Sequence, residues 1–408
     1  MESSKDKEHL ADVDEDDLTA KLEKNNIELR EGNIAYDIER PLFDTDACID
    51  LAELKKEFAR KINLKDGSAL AEGVPAITGL PPTKYLTDKS EDVDQETCIL
   101  ASYPRSGNTL LRAYLEKMMG LVTGSDCDIE KKLNKELLTM GLQGEGLVDK
   151  RVLVVKTHYP ERYGKTKFYS EKCILEVRNP LDAVTSLFNM VCTGSHNKSI
   201  HNDDYGKFRD QWHEFLMQEI TVWKDFHDFW LNSKVPVHII RYEDILGSPK
   251  ATMMKLMRFI LNEPDIEGTV IERYIDLTVK EKAPEIYKPR QGQVNSNLEK
   301  FNKEELGHLF EYARDQLTKF GYEETFTGVK PEKPVTFIDE FNEESLKKSI
   351  FNSNESDEIT SIFINYPALL LRKKTDKYPE GRTSYRFKRF LRKKVTIIDK
   401  TAKPGESE

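Results

Sequence analysis

The sequence lacks several features that would place it in a membrane or secreted class. No apolar run approaches the roughly 20 residues that span a bilayer, and residues 1–40 carry no apolar segment typical of a secretory signal. The five cysteines are odd in number and form no C-x-x-C pair, which argues against a disulfide framework or a zinc site. These absences predict free thiols, no transmembrane segment and a cytoplasmic location, with cytoskeletal association as one variant.

An overall basic character is also missing. The chain has 72 Asp and Glu against 62 Lys and Arg, a net charge of −10, which argues against nucleic acid as a main partner. Residues 372–394 are a local exception, with 11 basic and 2 acidic side chains. Such a segment could bind an acidic protein, anionic lipid or RNA, or pack onto acidic faces of its own chain. Among partners, we predict an acidic protein or another anionic surface.

The length of 408 residues predicts one large α/β domain with extensions. We predict an acidic, disordered tail over residues 1–40, a helix and linker over 41–95, the main domain over 96–328 and a C-terminal extension over 329–408. The extension contains the basic segment 372–394 and two candidate short helices, at residues 337–350 and 358–371.

A strand, a tight loop and a helix follow one another at the start of the main domain. Residues 97–101 are an apolar run that suits a buried strand, Pro104 and Gly107 then break the chain, and apolar pairs recur at helical spacing from Thr109. The free N–H groups of such a helix start attract anions, and Arg105 adds a positive charge. The junction therefore predicts a phosphate cradle, although no G-x-x-x-x-G-K-[ST] loop of a nucleoside triphosphatase or kinase occurs.

Three further apolar runs predict strands at residues 151–156, 172–177 and 235–240, each followed by a helical pattern. Alternation of strands and helices predicts an α/β fold, a three-layer sandwich with a central, mainly parallel sheet and a P-loop-like strand-loop-helix. Residues 207–232 contain neither Gly nor Pro and hold all three tryptophans. We predict one long helix there, with its aromatic side chains in the core.

Polar side chains follow the ends of these four strands. Arg105 follows the first strand, Lys156 and His158 the second, Arg178 the third and Tyr242 the fourth. Because the carboxyl ends of parallel strands meet at one edge of a sheet, and ligands bind there, we expect these five side chains to lie close together.

In order and spacing, these motifs resemble those of sulfotransferases that use 3′-phosphoadenosine 5′-phosphosulfate. The segment Ser102-Tyr-Pro-Arg-Ser-Gly-Asn-Thr109 is similar to that family's 5′-phosphosulfate loop, and Arg178-Asn-Pro-Leu-Asp-Ala-Val-Thr-Ser186 is similar to its 3′-phosphate motif. Three shorter segments resemble the family's catalytic segment, its late loop over the 3′-phosphate and a strand-end segment near the adenine; they are Lys156-Thr-His158, Arg290-Gln-Gly292 and Tyr242-Glu-Asp244.

The resemblance implies a role for each matching residue. It implies binding of 3′-phosphoadenosine 5′-phosphosulfate, as co-substrate, by Arg105, Ser106, Gly107, Asn108, Thr109, Arg178, Ser186, Tyr242, Arg290, Gln291 and Gly292. It also implies that His158 is the general base for a hydroxyl or amine acceptor, while Lys156 and Arg105 stabilise the charge that develops during transfer. Since cations do this work, no metal is expected.

Each of these residues also has an ordinary structural interpretation. Taken alone, His158 could be a surface histidine, Arg178 could pair with a carboxylate, and Ser186 could bond to a carbonyl of its own helix. For Tyr242, a place in the core and a contact with an adenine are equally good interpretations. The common order of the motifs favours the catalytic interpretation for His158.

The sequence departs from the family pattern at several positions. Arg105 replaces the usual lysine, Leu110 stands where an aromatic residue often follows the loop, and Asn295 and Asn297 replace the Gly and Trp of the late loop. These changes support an alternative function. In it, a catalytically weak or inactive protein with this fold serves as a structural component of a larger, for example cytoskeletal, assembly through its terminal extensions.

Overall fold

The computed structural model describes most of the main domain and two short segments of the C-terminal extension. The described residues are 48–70, 74–87, 97–162, 164, 168–195, 198–233, 235–281, 297–329, 362–364 and 397–399. Several predictions lie outside them: the acidic tail 1–40, the late-loop residues Arg290, Gln291, Gly292 and Asn295, the short helix at residues 337–350 and the basic segment 372–394.

Eleven strands are present in the described residues. In chain order they are β1 Cys48–Ile49, β2 Tyr85–Leu86, β3 Cys98–Ser102, β4 Gly124–Ser125, β5 Val154–Thr157, β6 Phe168–Ser170, β7 Lys172–Val177, β8 Lys198–Ile200, β9 Val237–Arg241, β10 Ile362–Ile364 and β11 Ile397–Asp399. Five of them form the central sheet in the order β4-β5-β3-β7-β9, and every neighbouring pair in it is parallel.

The helices connect these strands across both faces of the sheet. They are α1 Leu51–Phe58, α2 Asn108–Met119, α3 Lys132–Thr139, α4 Pro180–Thr193, α5 Arg209–Leu231, α6 Tyr242–Gly247, α7 Pro249–Leu261, α8 Val270–Lys280, α9 Lys303–Lys319 and α10 Glu323–Thr327. In the described ranges, none of the helices has the length and apolar composition needed to cross a membrane.

Alternate residues of the longer central strands enter two separate cores, because side chains point to opposite faces along a strand. In β3, Ile99 and Ala101 belong to the core under α4, α5 and α9, whereas Leu100 belongs to the core under α1, α2, α7 and α8. Every residue of β3 is buried. The α/β three-layer sandwich with a parallel sheet is therefore confirmed.

The four predicted central strands are confirmed, and the structure adds a fifth. Strand β4 consists of only Gly124 and Ser125, which have no apolar pattern by which a strand could be recognised. It pairs with β5 beside Val155 and Lys156, so it covers the edge of the strand that leads into the predicted catalytic segment.

Two predicted helices differ from the observed structure. The long helix expected over residues 207–232 begins with a 3₁₀ turn, Asn202–Phe208, and becomes α-helical as α5. The tryptophans of α5, Trp212, Trp223 and Trp230, are fully buried as expected. The short helix predicted over residues 358–371 is wrong at Ile362–Ile364, since β10 is antiparallel to β6. Strand β11 pairs with β8 in the same way, because edge strands offer unpaired backbone groups.

Candidate functional site

The loop between β3 and α2 has a backbone shape that needs glycine. Gly107 has a φ of 122° and is the residue immediately before α2. A Cβ atom there would lie 2.4 Å from the Tyr242 ring and 2.9 Å from Glu176 Oε1. Arg105 is also left-handed, with a φ of 71°. Since non-glycine residues rarely adopt this region, the surrounding contacts must hold the loop in place.

One polar side chain in this loop is buried without a partner. The Ser106 side chain is 0% exposed, and its Oγ has no hydrogen-bond partner among the described residues. Beside it, α2 begins at Asn108, where the first N–H groups of a helix lack intrahelical acceptors. Asn108 donates to Ser102 Oγ at 3.2 Å, and Thr109 follows, half-buried, in the first turn. Buried unpaired donors at a helix N-terminus suit an anion.

The loop is joined to the start of α4, where the second phosphate motif lies. Arg105 Nε donates to Ser186 Oγ at 3.1 Å, and Arg178 Nη1 donates to the Arg105 carbonyl oxygen at 2.9 Å. These partners are 81 and 73 residues apart in the chain. Strands β3 and β7 are neighbours in the sheet, and their adjacency brings the two sequence-predicted motifs into direct contact.

Tyr242 lies in this cluster through a contact that sequence reasoning did not include. The Arg178 guanidinium stands 4.4 Å from the centre of the Tyr242 ring, a distance typical of a cation–π contact. The ring is 4% exposed. Tyr242 therefore packs its ring against the Arg178 guanidinium. Its predicted contact with an adenine stays a prediction.

The acidic residues that follow Tyr242 have structural contacts. Glu243 accepts hydrogen bonds from the Asn179 backbone N–H at 3.0 Å and from the Tyr322 hydroxyl at 2.7 Å. Asp244 is paired with Arg241 at 2.6 Å. Glu243 thereby ties α6 to Asn179, the N-cap residue of α4, and helps to fix the position of Arg178.

His158 follows β5, and its ring has one hydrogen bond to the described part of the chain. Its Nδ1 lies 2.6 Å from the Ser102 carbonyl oxygen. A carbonyl can only accept, so Nδ1 carries the proton in the neutral ring and Nε2 is the basic nitrogen. Burial holds the pKa of His158 well below its usual range, and the positive charges of Lys156, Arg162 and Arg105 lower it further. The imidazole is therefore neutral, and able to accept a proton, at neutral pH.

Lys156 lies two residues before His158 and is 8% exposed. Burial lowers its pKa, while the nearby Glu145, Cys127 and Asp126 raise it and oppose that effect. A buried ammonium group whose charge is supported by nearby acidic groups is suited to bind an anion.

A buried ionic network lies beside Lys156, and sequence reasoning missed it. Arg112 of α2 pairs with Glu145 and donates to Thr123 Oγ1 at 2.9 Å; both charged side chains are 1% exposed. The Cys127 thiol donates to Glu145 at 2.7 Å, and burial raises its pKa to about 12. Arg112 and Glu116 are charged residues four apart among the buried residues of α2, and that pair is the sequence signal that could have revealed the network.

Two of the departures from the expected family pattern, Leu110 and Asn297, lie in described parts of the chain, whereas Asn295 lies outside them. Leu110 is 1% exposed and packs in the core under α2. Asn297, which resumes the described chain after the late-loop residues, donates from Nδ2 to Asp182 Oδ1 at 2.6 Å, and Lys300 donates to its Oδ1 at 2.6 Å. Asp182 lies in the first turn of α4, so the late segment rejoins the domain next to the second phosphate motif.

No cluster of three or more His, Cys, Asp or Glu side chains that could hold a metal ion occurs in the described parts of the chain. The prediction that the reaction needs no metal remains a prediction. The five cysteines, all of which are described, are free thiols.

Comparison with known proteins identifies the family to which this domain belongs. Residues 95–307, slightly more than half of the chain, match the sulfotransferase domain family. The protein belongs to that family, as the sequence motifs predicted.

Its relatives include WSCD family members of three insects. That of Aedes aegypti is 31% identical over 170 residues, 41% of this chain and 50% of its own length. That of Drosophila pseudoobscura pseudoobscura is 31% identical over 163 residues, 40% and 49% respectively. The Drosophila melanogaster relative is 28% identical over 211 residues, 51% and 57% respectively. The chain thus spans about half the length of the curated relatives it matches.

Among solved structures, the crystal structure of mouse sulfotransferase SULT7A1 complexed with PAP aligns with a TM-score of 0.38 and 18% identity. The alignment covers 58% of this chain and 89% of that chain.

Proposed function

We propose that this protein transfers a sulfuryl group from 3′-phosphoadenosine 5′-phosphosulfate to a hydroxyl or amine acceptor. The observation that carries the proposal is the contact between the two phosphate motifs: Arg105 bonds to Ser186, and Arg178 bonds to Arg105. A ligand with phosphate groups at both ends of its ribose would contact both motifs at once. Membership of the sulfotransferase family supports the same choice.

The residues present fit this nucleotide. The unpartnered Ser106 hydroxyl and the first N–H groups of α2 would bind the 5′-phosphosulfate, with Arg105 beside them. The Arg178 guanidinium and the Ser186 hydroxyl would bind the 3′-phosphate. Arg178 Nε is also buried without a hydrogen-bond partner among the described residues, so it has a donor to spare for this purpose.

The chemistry needs a proton acceptor and a source of positive charge. When bound, the co-substrate would supply the sulfuryl group and a bisphosphate leaving group. His158 Nε2 would take the proton of the acceptor as its oxygen or nitrogen forms the bond to sulfur. Lys156 and Arg105 would stabilise the negative charge left on the bridging oxygen as its bond to sulfur breaks. A general base of this kind contributes about 10²–10⁴-fold in rate.

Transfer of labelled sulfate tests the proposal directly. The full chain is incubated with the ³⁵S-labelled nucleotide and a panel of phenols, alcohols, sugars, peptides and amines, and label in the acceptor is counted. Transfer to at least one class is expected, together with binding of 3′-phosphoadenosine 5′-phosphate (PAP), the nucleotide product. Absence of both transfer and product binding would reject the proposal.

Three narrower predictions remain open beside it. The structural role in a larger assembly, the cytoplasmic location and the anionic partner of residues 372–394 each stay a prediction. The pairing of β10 with β6 and of β11 with β8 shows that segments on both sides of residues 372–394 return to the domain.

A further inference from the structure

A carboxyl group without hydrogen bonds lies next to the phosphate loop. Glu176 is the next-to-last residue of β7, in register with Ser102 of β3 and Ile240 of β9. Its side chain is 0% exposed, and neither carboxyl oxygen has a hydrogen-bond partner among the described residues. A buried polar group left in this way costs free energy, so its presence calls for an explanation.

The position of Glu176 connects it to the proposed nucleotide site. A Cβ atom added to Gly107 would lie 2.9 Å from Glu176 Oε1, so the carboxyl packs directly against the backbone that begins α2. The same Cβ would meet the ring of Tyr242, on which Arg178 is stacked. Glu176 therefore lies at the helix N-terminus that would bind the phosphosulfate.

The charge of Glu176 at this place matters for any anion that binds there. Burial raises its pKa to about 8, the positive charge of Arg178 opposes the rise, and the negative charge of Glu243 adds to it. Arg178 directly follows β7 and Glu243 lies in α6, and Ser102 and Ile240 are the neighbours of Glu176 in the adjacent strands. The carboxyl is consequently a neutral acid at neutral pH.

We propose that Glu176 is a positioning residue for the nucleotide: as a neutral acid it fills the space under Gly107 without repelling a bound anion, and as a carboxylate it opposes that anion. This inference rests on the proposed function. It predicts that nucleotide binding weakens at alkaline pH, independently of proton transfer at His158. Two negative charges within a few ångströms in a partly buried site repel strongly enough to change affinity by about tenfold or more.

The pH dependence of nucleotide binding tests the inference. Dissociation constants of PAP are measured by calorimetry between about pH 7 and about pH 9.5, above the second phosphate pKa of roughly 6. The variant E176Q has the same shape and cannot ionise. The ratio of the wild-type constant to the E176Q constant is expected to rise about tenfold across this range. Titration of Lys156 or of a tyrosine in this range would weaken the nucleotide binding of both proteins alike and leave the ratio unchanged.

Glu116→Gln is the matched control, since Glu116 is also a buried glutamate with a pKa raised by burial, and it lies towards the far end of α2. This variant should follow the wild-type pH profile. A wild-type to E176Q ratio that stays constant would overturn the inference, as would an equal change in E116Q. Failure of every protein to bind PAP at about pH 7 would instead reject the proposed function, and the inference with it.

Thermal unfolding without nucleotide gives a second readout, which does not depend on binding. Because folding raises the pKa of Glu176 from 4.5 to about 8, its stabilising effect is complete below the lower value and is lost as pH rises through the higher one. The melting temperature of the wild type should therefore fall relative to that of E176Q as pH rises towards about 9. A constant difference would show that folding does not raise the pKa of this carboxyl, which would then be ionised already at neutral pH, and would overturn the inference. Glu176→Met provides the same comparison if the glutamine variant does not fold.

Discussion

The two ends of the candidate site are held in different ways. At the phosphate end, Arg105, Arg178 and Ser186 come from three places in the chain and contact one another directly. At the chemical end, Lys156 lies in β5 and His158 directly follows it, and their protonation states depend on neighbouring groups. Binding residues can thus be recognised by their own pattern, whereas reactivity is set by neighbours that the pattern does not contain.

The electrostatic surroundings of the two ends differ in the same sense. The phosphate end leaves the Ser106 hydroxyl and Arg178 Nε without partners among the described residues. At the chemical end, burial and nearby cations keep His158 neutral, and Glu145 supports the charge of Lys156. We expect substitutions at one end to change affinity and substitutions at the other to change rate.

Replacement of the general base should have the largest effect. His158→Ala should lower the rate of sulfate transfer by about 10²–10⁴-fold, while the dissociation constant of PAP changes by less than about threefold. The measurement pairs labelled transfer with calorimetry. His213→Ala is the matched control, since His213 is half exposed and paired with Glu305. A loss of nucleotide binding as large as the loss of rate would remove the distinction between the two ends.

Next in size is the effect of breaking the network under Lys156. Glu145→Gln removes the carboxylate that pairs with the buried Arg112, and we expect the free energy of unfolding to fall by about 3 kcal/mol. Chemical denaturation measures this change. Glu311→Gln removes an exposed partner of Arg314 and should cost less than about 1 kcal/mol. Equal effects of the two substitutions would mean that the buried network does not stabilise the chemical end.

A smaller change is expected at the phosphate end. Arg178→Ala should weaken the binding of PAP by about 10–100-fold, because charge-assisted hydrogen bonds are lost together with the contact to the Arg105 carbonyl. Arg151→Ala, at an arginine paired with Asp149, serves as the control and should leave binding unchanged. Arg178→Lys should restore only part of the affinity, since an ammonium lacks the planar fork. Full affinity in Arg178→Ala would disprove its assigned role.

The smallest effect concerns pH. Below its pKa His158 is protonated and cannot act as a base, so activity should fall only as pH drops through a pKa that is lower than 6.5. A profile of kcat/KM against pH locates this acid limb. Arg162→Gln removes one of the cations that lower the pKa, and the limb should move towards higher pH. An acid limb at or above the ordinary histidine value would contradict the assignment.

The fold and the phosphate end could largely be predicted from the sequence. The apolar runs of the strands, the breaks at Pro104 and Gly107 and the spacing of Arg178 and Ser186 are local patterns. A parallel sheet then places the strand ends together. The two-residue strand β4 has no such pattern.

The surroundings of Lys156 and the contacts that support the phosphate loop could be recognised only from the structure. Arg112 and Glu145 are 33 residues apart, and only tertiary packing shows that they meet beside Lys156. The contact of Glu176 with Gly107 likewise joins β7 to the loop after β3, and its only sequence signal is a charge in an apolar run. The pairing of β10 with β6 and of β11 with β8 depends on which strands of the folded domain have an unpaired edge. The sequence of one segment does not contain that information.

The most direct measurement compares two nucleotides by thermal unfolding. PAP and adenosine 5′-phosphate differ by the 3′-phosphate that Arg178 and Ser186 are proposed to bind. A ligand specific for the native state at 100 times its dissociation constant stabilises by about 2.7 kcal/mol. PAP should therefore raise the melting temperature of the wild type well above the effect of adenosine 5′-phosphate, and Arg178→Ala should abolish the difference. Equal shifts by both nucleotides, or no shift with either, would contradict a single site built from the two phosphate motifs.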